Sequence, residues 1–261
     1  MPHSKASATR QHGPLSTLPL AMPQDTCERG AVIKDATIVF DLDGTLVDTA
    51  PDLTNALNDV LVRRGYAPVA LASVRAAVGR GARVMIETAL RRAGAKDDIE
   101  EMLAEFLVHY EANIAAESRP YPGTVAALDR LHASGATLAV CTNKRERLSR
   151  LLLQALDLER YFAALAGRDT FGVSKPDPGH LLGVIDRAGG TPTRAVMVGD
   201  SDVDIAAAQG AGVPCVLVSF GYAPPSAEGP FPDAIIDHFD ELEPSVRELL
   251  SRDRNRAVSA S

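Results

Sequence analysis

Cysteine is scarce in this sequence, and the few cysteines lie far apart. Cys27, Cys141 and Cys215 are odd in number and form no Cys-x-x-Cys pair. This pattern argues against a disulfide framework and against a structural zinc site. A reducing compartment explains it most simply, so we expect a cytoplasmic protein.

Long apolar runs and an excess of basic residues are also missing. No stretch approaches the 18 or so consecutive apolar residues that a membrane-spanning helix needs. The 27 lysines and arginines are outnumbered by 34 aspartates and glutamates, which gives a net charge of −7. A chain with this balance has no overall basic footprint for a nucleic-acid backbone. We therefore expect neither nucleic acid nor a membrane as a partner.

Residues 1–34 lack an apolar period and are rich in Ser, Pro and Gly. Such a composition predicts a mobile N-terminal tail. The part before Met22 has no acidic residue, which faintly suggests a transit peptide, although it contains only one Lys and one Arg. A true start at Met22 explains this part of the sequence at least as well.

From Thr37 onward, short apolar runs alternate with longer segments of helical apolar spacing. Near-continuous apolar strands separated by helices indicate a parallel sheet that is covered on both faces. The hydrophobic content of 46% is ample for such a core. We therefore predict a doubly wound α/β fold with strands at 37–41, 136–143, 162–167, 195–200 and 214–219.

One connection in this pattern is far too long for an ordinary crossover. About ninety residues separate the first two predicted strands, and most of them have the spacing of helices. We interpret 53–118 as a small helical domain inserted into the core. The core then consists of 35–52 and 119–261.

Polar residues follow the predicted strands where a ligand is expected. In open parallel sheets, ligands bind beyond the carboxyl ends of the strands. The "DLDGT" string after the first strand should occur by chance in on the order of one in several hundred chains of this length. Each residue alone has a structural explanation, such as a helix cap or a solvated lysine. Together they predict a functional site formed by Asp41, Thr142 with Asn143, Lys175 and Asp200.

The motifs resemble those of a known family. "FDLDGTLVDT", "CTNK", "SKPDP" and "VGDSDVD" are similar, in this order, to the four motifs of the haloacid dehalogenase (HAD) superfamily of aspartate-nucleophile phosphatases. The resemblance extends from Thr37 to about Tyr222 and implies a Rossmann-like core with an inserted helical cap. The stretches "VGRGA", "YPGT" and "GVPCVLVSFGY" resemble the phosphoglycolate phosphatase branch in particular.

The resemblance implies a role for each motif residue. Asp41 would attack phosphorus and form an aspartyl-phosphate, while Asp43 would protonate the leaving group and later activate water. Haloacid dehalogenases do not need this second acid, because halide leaves unprotonated, so Asp43 favours a phosphatase. Lys175 would offset the negative charge of Asp41 and the phosphoryl group, and Thr142 and Asn143 would bind the phosphate.

A divalent cation is also implied, because two carboxylates and a phosphate dianion repel one another. Mg²⁺ prefers carboxylate, carbonyl and phosphate oxygens. By the family pattern its protein ligands are the carboxylate of Asp41, the backbone carbonyl of Asp43 and the carboxylate of Asp200. Asp204 would orient Lys175 or a metal-bound water.

A glycine-containing stretch inside the predicted insertion carries two arginines. Arg80 and Arg83 in "VGRGARV" are candidates to bind a substrate carboxylate, although a glycine-broken helix connection with solvated arginines explains them equally well.

Thr49 resembles a helix N-cap, with Asp52 three residues later. We therefore interpret Asp48 as a structural residue at the hinge into the insertion.

The motifs and their resemblance to the HAD superfamily thus predict a Mg²⁺-dependent phosphomonoesterase, and the similarity to one branch implies 2-phosphoglycolate as its substrate. Alternatives are a phosphatase for another small molecule, such as a sugar phosphate or pyrophosphate, and a phosphomutase similar to β-phosphoglucomutase. A receiver-type signalling module fits less well, because its phosphate acceptor follows the third strand and Asp41 follows the first. The expected partner is a small-molecule phosphate ester, and the protein is expected to be a monomer or a homodimer.

Overall fold

A parallel sheet of six strands forms the centre of the protein. The computed structural model describes residues 32–223 and 228–259. The strands are β1 (Thr37–Phe40), β4 (Thr137–Cys141), β5 (Phe162–Ala166), β6 (Ala195–Gly199), β7 (Cys215–Val218) and β8 (Ala234–Ile236). Their order in the sheet is β5-β4-β1-β6-β7-β8, and all neighbouring pairs are parallel. All five predicted strands are present, whereas the short edge strand β8 was not predicted.

Strand β1 lies in the middle of the sheet, and its register aligns the strand ends. Phe40 pairs with Val140 of β4 on one side and with Val198 of β6 on the other. The polar residues that follow these three strands therefore emerge at one edge of the sheet. The register of β1 and β6 thus fixes the position of Asp41, which follows β1, relative to Asp200, which follows β6.

Both faces of the sheet are buried, which explains the near-continuous apolar strands. Ile38 and Phe40 of β1 belong to one hydrophobic cluster, whereas Val39 belongs to another on the opposite face. This alternation follows from the two-residue period of a strand. The prediction of a doubly wound α/β fold is therefore confirmed. The flanking helices are Thr124–Ala133, Glu146–Ala155 and Leu242–Ser259 on the first face and Pro178–Arg187 and Asp202–Ala211 on the second.

Four α-helices lie between Asp48 and Arg119 and pack around a second hydrophobic cluster, which includes Leu57, Ile86 and Phe106. The first begins at Ala50, three residues before the predicted boundary. An antiparallel pair, β2 (Val47–Asp48) and β3 (Arg119–Pro120), joins these helices to the core. We call this group the helical insertion, and its helices are Ala50–Arg63, Leu71–Arg75, Ala82–Ala93 and Ile99–Ala112.

The described chain begins inside the segment predicted as a mobile tail. Ile33 is fully buried, and Arg194 Nη2 donates hydrogen bonds to the carbonyls of Val32 and Lys34. The tail prediction is therefore wrong for 32–34, because one apolar side chain anchors this segment to the core. The rest of the predicted tail, including Met22, lies outside the described residues.

Two of the three cysteines lie in the part of the chain that the structure describes. Cys141 and Cys215 are buried, unpaired thiols. Within 32–223 and 228–259, every helix is too short or too polar to cross a membrane.

Candidate active site

Asp41 is a buried carboxylate directly after the central strand. Its N–H donates to the Val198 carbonyl (2.9 Å), which continues the hydrogen bonding between β1 and β6. Its Oδ1 atom accepts a hydrogen bond from the Leu42 N–H (2.7 Å) and lies 2.9 Å from Lys175 Nζ. Burial raises the pKa of Asp41 to about 6, although Lys175 acts in the opposite direction. The ionised carboxylate thus depends on nearby positive charge.

Lys175 bridges two carboxylates and is itself buried. Its Nζ atom lies 2.6 Å from Asp204 Oδ1, and Asp204 Oδ2 accepts a hydrogen bond from Ser201 Oγ (2.6 Å). Ser201 and Asp204 also form a capping box at the start of the Asp202–Ala211 helix. Burial acts to lower the pKa of Lys175, but Asp204 and Asp41 raise it above its ordinary value. Lys175 therefore stays cationic, and the helix start fixes the position of Asp204.

Three carboxylates converge close to Asp41. Asp41, Asp200 and Asp204 each place an oxygen within 4.8 Å of the others. Burial, followed by Asp204 and Asp41, raises the pKa of Asp200 well above its ordinary value. A cluster of hard oxygen atoms with so much unfavourable negative charge fits a divalent cation. Because Lys175 and Ser201 already occupy Asp204, Asp41 and Asp200 are the better ligands.

Gly44 permits the close approach of Asp200. Its φ of +88° lies in the left-handed region, and a Cβ atom there would lie 2.4 Å from Asp200 Oδ2 and 2.7 Å from the Tyr222 ring. The glycine of the "DLDGT" string is therefore required by both its backbone conformation and its contacts.

Asp43 is not one of the three clustered carboxylates, and it contacts Lys144. Lys144 Nζ lies 2.8 and 3.1 Å from the two Asp43 carboxylate oxygens, and Thr49 Oγ1 donates to Asp43 Oδ1 (2.7 Å). The ammonium also lies 4.6 Å from the centre of the Tyr110 ring, in the helical insertion. Burial acts to lower the pKa of Lys144, whereas Asp43 raises it, and the pKa ends above its ordinary value. Lys144 was not assigned a role from the sequence, although it directly follows Thr142 and Asn143.

Thr142 and Asn143 follow β4 at the same edge. Thr142 Oγ1 accepts a hydrogen bond from the Lys144 N–H (3.2 Å). The Asn143 side-chain amide donates to the carbonyls of Lys175 (3.0 Å) and Gly79 (3.3 Å), so it holds the Lys175 loop and the helical insertion together. The phosphate-binding role of both residues stays a prediction.

A cavity of about 350 Å³ lies between the sheet edge and the helical insertion. This volume is at the lower end of the range for small-molecule sites. Its polar wall comes from the core and includes Asp41, Asp43, Thr142 and Lys144. The opposite wall is largely apolar and is formed by Leu53, Met85, Leu103, Phe106, Leu107 and Leu148.

The two arginines proposed to select substrate have different surroundings. Arg83 lines the cavity, but its guanidinium forms an ion pair with Glu100. Arg80 is exposed and is absent from the cavity lining. Arg168, which was not predicted, also lines the cavity and is exposed. The role of Arg80 and Arg83 in substrate specificity stays a prediction.

Tyr222 links the carboxylate cluster to the start of the helical insertion. Its N–H donates to Asp200 Oδ2 (2.7 Å), and its hydroxyl accepts hydrogen bonds from the N–H groups of Thr49 (2.6 Å) and Ala50 (2.9 Å). The hydroxyl donates in turn to Asp48 Oδ1 (2.8 Å). Thr49 occupies the N-cap position, but its side chain forms no capping bond. The prediction that the Thr49 side chain caps the helix is therefore wrong. Its hydroxyl donates to Asp43 instead, and its N–H donates to the Tyr222 hydroxyl.

The fold and site together define an α/β protein with a buried carboxylate, a lysine and an acidic cluster at the end of a parallel sheet. Residues 38–218 match the family of haloacid dehalogenase-like hydrolases. The matched segment includes Asp41, Lys175 and Asp200. The chain therefore belongs to this family.

Similar proteins narrow the comparison. The chain is 49% identical to a phosphoglycolate phosphatase of Agrobacterium fabrum over 81% of this chain and 92% of that protein. It is also 49% identical to a phosphoglycolate phosphatase of Mesorhizobium japonicum over 82% and 96%, respectively. A crystal structure from Haemophilus somnus, described as a predicted phosphoglycolate phosphatase, has a TM-score of 0.74 and 30% identity over 80% of this chain and 96% of that chain.

Proposed function

We propose that this protein is a Mg²⁺-dependent phosphomonoesterase that hydrolyses 2-phosphoglycolate to glycolate and phosphate. The observation that carries the proposal is the buried Asp41 carboxylate, which contacts Lys175, lies close to Asp200 and Asp204 and lines a small cavity. The likeness to proteins named phosphoglycolate phosphatase supports this substrate.

Asp41 is the proposed nucleophile. Its Oδ1 atom is held by Lys175 and the Leu42 N–H, which leaves Oδ2 to attack phosphorus. The bond from phosphorus to the glycolate oxygen breaks as the aspartyl-phosphate forms. Water then attacks phosphorus, releases phosphate and regenerates the Asp41 carboxylate.

Asp43 is the proposed acid and base for both steps. Its carboxyl group protonates the departing glycolate oxygen and, as a carboxylate, takes the proton from the attacking water. Because Asp43 lies two residues after Asp41, its carboxyl group is on the same loop but clear of the Asp41 oxygen that attacks phosphorus. Lys175, Thr142 and Asn143 bind the phosphoryl oxygens in this proposal.

Mg²⁺ would be held by the carboxylates of Asp41 and Asp200 and by the Asp43 carbonyl, and it would supply positive charge at the phosphoryl group. Asp200 is pre-positioned for this task because Tyr222 N–H and Gly44 fix its carboxylate. Asp204 orients Lys175 through their ion pair of 2.6 Å.

We also propose that residues 53–118 act as a cap over this edge. The insertion supplies most of the apolar wall of the cavity, and such a cover keeps water away from an aspartyl-phosphate. Substrate selection then depends on residues near the boundary, with Arg80 and Arg83 as the candidates that the sequence offers.

A cytoplasmic location and a small-molecule partner complete the proposal. The buried free thiols of Cys141 and Cys215 support a reducing compartment. The absence of nucleic-acid or membrane partners and the choice between monomer and homodimer stay predictions.

Purified protein tests this proposal directly. It is incubated with 2-phosphoglycolate, several sugar phosphates and pyrophosphate, with Mg²⁺ or with EDTA, and phosphate release is measured. We expect many turnovers, the highest kcat/KM with 2-phosphoglycolate, and loss of activity in EDTA. Equal or better turnover of another ester contradicts the substrate assignment. Dependence on a bisphosphate with little net phosphate release would indicate a phosphomutase.

A further inference from the structure

Lys144 is a buried cation at the boundary between the core and the helical insertion. Only 6% of its side chain is exposed, yet it lines the cavity. The Asp43 carboxylate and the Tyr110 ring surround its ammonium. Because burying an ammonium is costly, such a group is retained where its charge has a partner.

The hydrogen bonds that Asp43 accepts compete with its proposed role as acid and base. Oδ1 accepts from both Thr49 and Lys144, and Oδ2 lies 3.1 Å from the same ammonium. Oδ1 is therefore fully occupied, and Oδ2 shares the ammonium of Lys144 while these contacts last. A leaving-group oxygen has to compete with these partners for Asp43, and the partner that lines the cavity is Lys144.

The shape of the substrate also points to Lys144. In 2-phosphoglycolate a single CH₂ group separates the leaving-group oxygen from the carboxylate. A cation that binds this carboxylate must lie next to the residue that protonates that oxygen, which is Asp43. Among the other cations that line the cavity, Arg83 is paired with Glu100, and Arg145 and Arg168 are exposed. A buried ammonium also binds a carboxylate more strongly than an exposed guanidinium does, because the surroundings screen it less.

We propose that Lys144 recognises the carboxylate of the substrate, and that Asp43 takes the place of this carboxylate in the substrate-free enzyme. This inference rests on the proposed function. On binding, the substrate carboxylate accepts the hydrogen bonds of Lys144, and Asp43 turns to the leaving-group oxygen. Phosphate esters without a second anionic group leave Lys144 on Asp43 and are poor substrates. Recognition of the acid and release of Asp43 are thus one event.

Replacement of Lys144 by Met tests this exchange. The assay compares kcat/KM for 2-phosphoglycolate with kcat/KM for its amide analogue, in which a neutral carboxamide replaces the carboxylate. We expect the ratio of the two values to fall at least about 30-fold in Lys144→Met, which is about 2 kcal/mol. Inhibition by glycolate should weaken by a similar factor. An unchanged ratio, with both substrates affected equally, overturns the proposal.

Arg168→Met is the matched control, because it removes a cation from the same cavity. We expect its ratio to change less than about threefold. A larger loss in Arg168→Met than in Lys144→Met assigns the carboxylate to Arg168 and overturns the proposal. If the wild-type protein does not hydrolyse 2-phosphoglycolate, the proposed function fails; if it does and the ratio is unaffected by Lys144→Met, only this inference fails.

A crystal structure of the wild-type protein with glycolate provides a measurement that does not depend on how the variant folds. We expect Lys144 Nζ within about 3.2 Å of the glycolate carboxylate, with Asp43 no longer in contact. Glycolate bound by Arg83 or Arg168, with the contact between Lys144 and Asp43 intact, contradicts the exchange.

Discussion

At the scale of single residues, Asp41 is the position on which the proposed chemistry depends. Replacing it with Asn keeps the size of the side chain but removes the nucleophilic carboxylate. We expect Asp41→Asn to lose 2-phosphoglycolate hydrolysis by a factor of about 10⁴ or more. Phosphate release measures the loss, and circular dichroism checks folding. Asp186→Asn, on an exposed helix position, is the matched control and should retain activity.

The raised pKa of Asp41 predicts an acid limit on activity. Asp41 attacks only when ionised, and burial raises its pKa to about 6, so the reactive fraction falls about tenfold for each pH unit below that value. A cation at the carboxylate favours ionisation and lowers this pKa. We therefore expect the acid limb of kcat/KM to lie at lower pH in saturating than in limiting Mg²⁺.

The measurement is a pair of pH profiles at the two Mg²⁺ concentrations. Mg²⁺ also binds the phosphate group of the substrate, so the ionisation of the substrate is titrated at both Mg²⁺ concentrations and kcat/KM is corrected for it. An acid limb at the same pH in both series contradicts a metal contact of Asp41.

Sequence reasoning at the residue scale found the groups that follow strands but not their partners. Asp41, Thr142 and Asp200 could be located because they directly follow apolar strands that share one sheet edge. The contacts of Lys144 and Tyr222 could not, since each joins residues more than 100 positions apart. Short motifs indicate which residues are polar, whereas tertiary packing decides which of them meet.

At the scale of elements, Tyr222 completes the first turn of the Ala50–Arg63 helix. Its hydroxyl accepts hydrogen bonds from two N–H groups that have no partner within the helix. We expect Tyr222→Phe to lower the free energy of unfolding by about 1–3 kcal/mol, because these groups lose their acceptor. Urea denaturation measures the change.

Tyr66→Phe is a suitable control for this experiment. The Tyr66 hydroxyl forms one bond, to Asp97, on the outer side of the insertion. A smaller loss of stability is expected there. If the two variants lose the same stability, the hydroxyl of Tyr222 does not act as a cap for the helix.

The elements that the sequence missed are short or depend on distant partners. Strand β8 has only three residues, Ala234–Ile236, so its apolar run is too short to indicate a strand. The capping box expected at Thr49 and Asp52 fails for another reason. Asp52 instead accepts hydrogen bonds from the N–H groups of Glu117 and Ser118, about 65 residues later. Local rules cannot anticipate an acceptor taken by such a remote segment.

At the scale of the whole molecule, the acidic cluster links stability to pH and metal. The pKa values of Asp41 and Asp200 are raised in the folded state, so the folded protein binds more protons than the unfolded chain. Stability of the metal-free protein therefore falls as the pH rises from about 4 through 6, because Asp41 becomes charged, and the raised pKa of Asp200 adds to the loss where that carboxylate ionises. Mg²⁺ should offset this loss only where the carboxylates are ionised.

Thermal unfolding with Mg²⁺ or EDTA tests this linkage. We expect Mg²⁺ to raise Tm by about 5 °C or more at pH 7.5, and by much less at pH 4.5. Asp200→Asn should reduce the effect at pH 7.5. An equal Mg²⁺ effect at both pH values in the wild-type protein would contradict the assignment of the cluster as the metal site.

The short pair of β2 and β3 has a consequence for how this protein can be altered. Val47 lies beside Pro120, so the chain leaves the core and returns to it at neighbouring points. The central sheet is therefore built without any contribution from the 70 or so residues between them. An exchange of that whole segment for one from another chain needs only two adjacent junctions, and it would bring new surface to the cavity while the six strands below remain as they are.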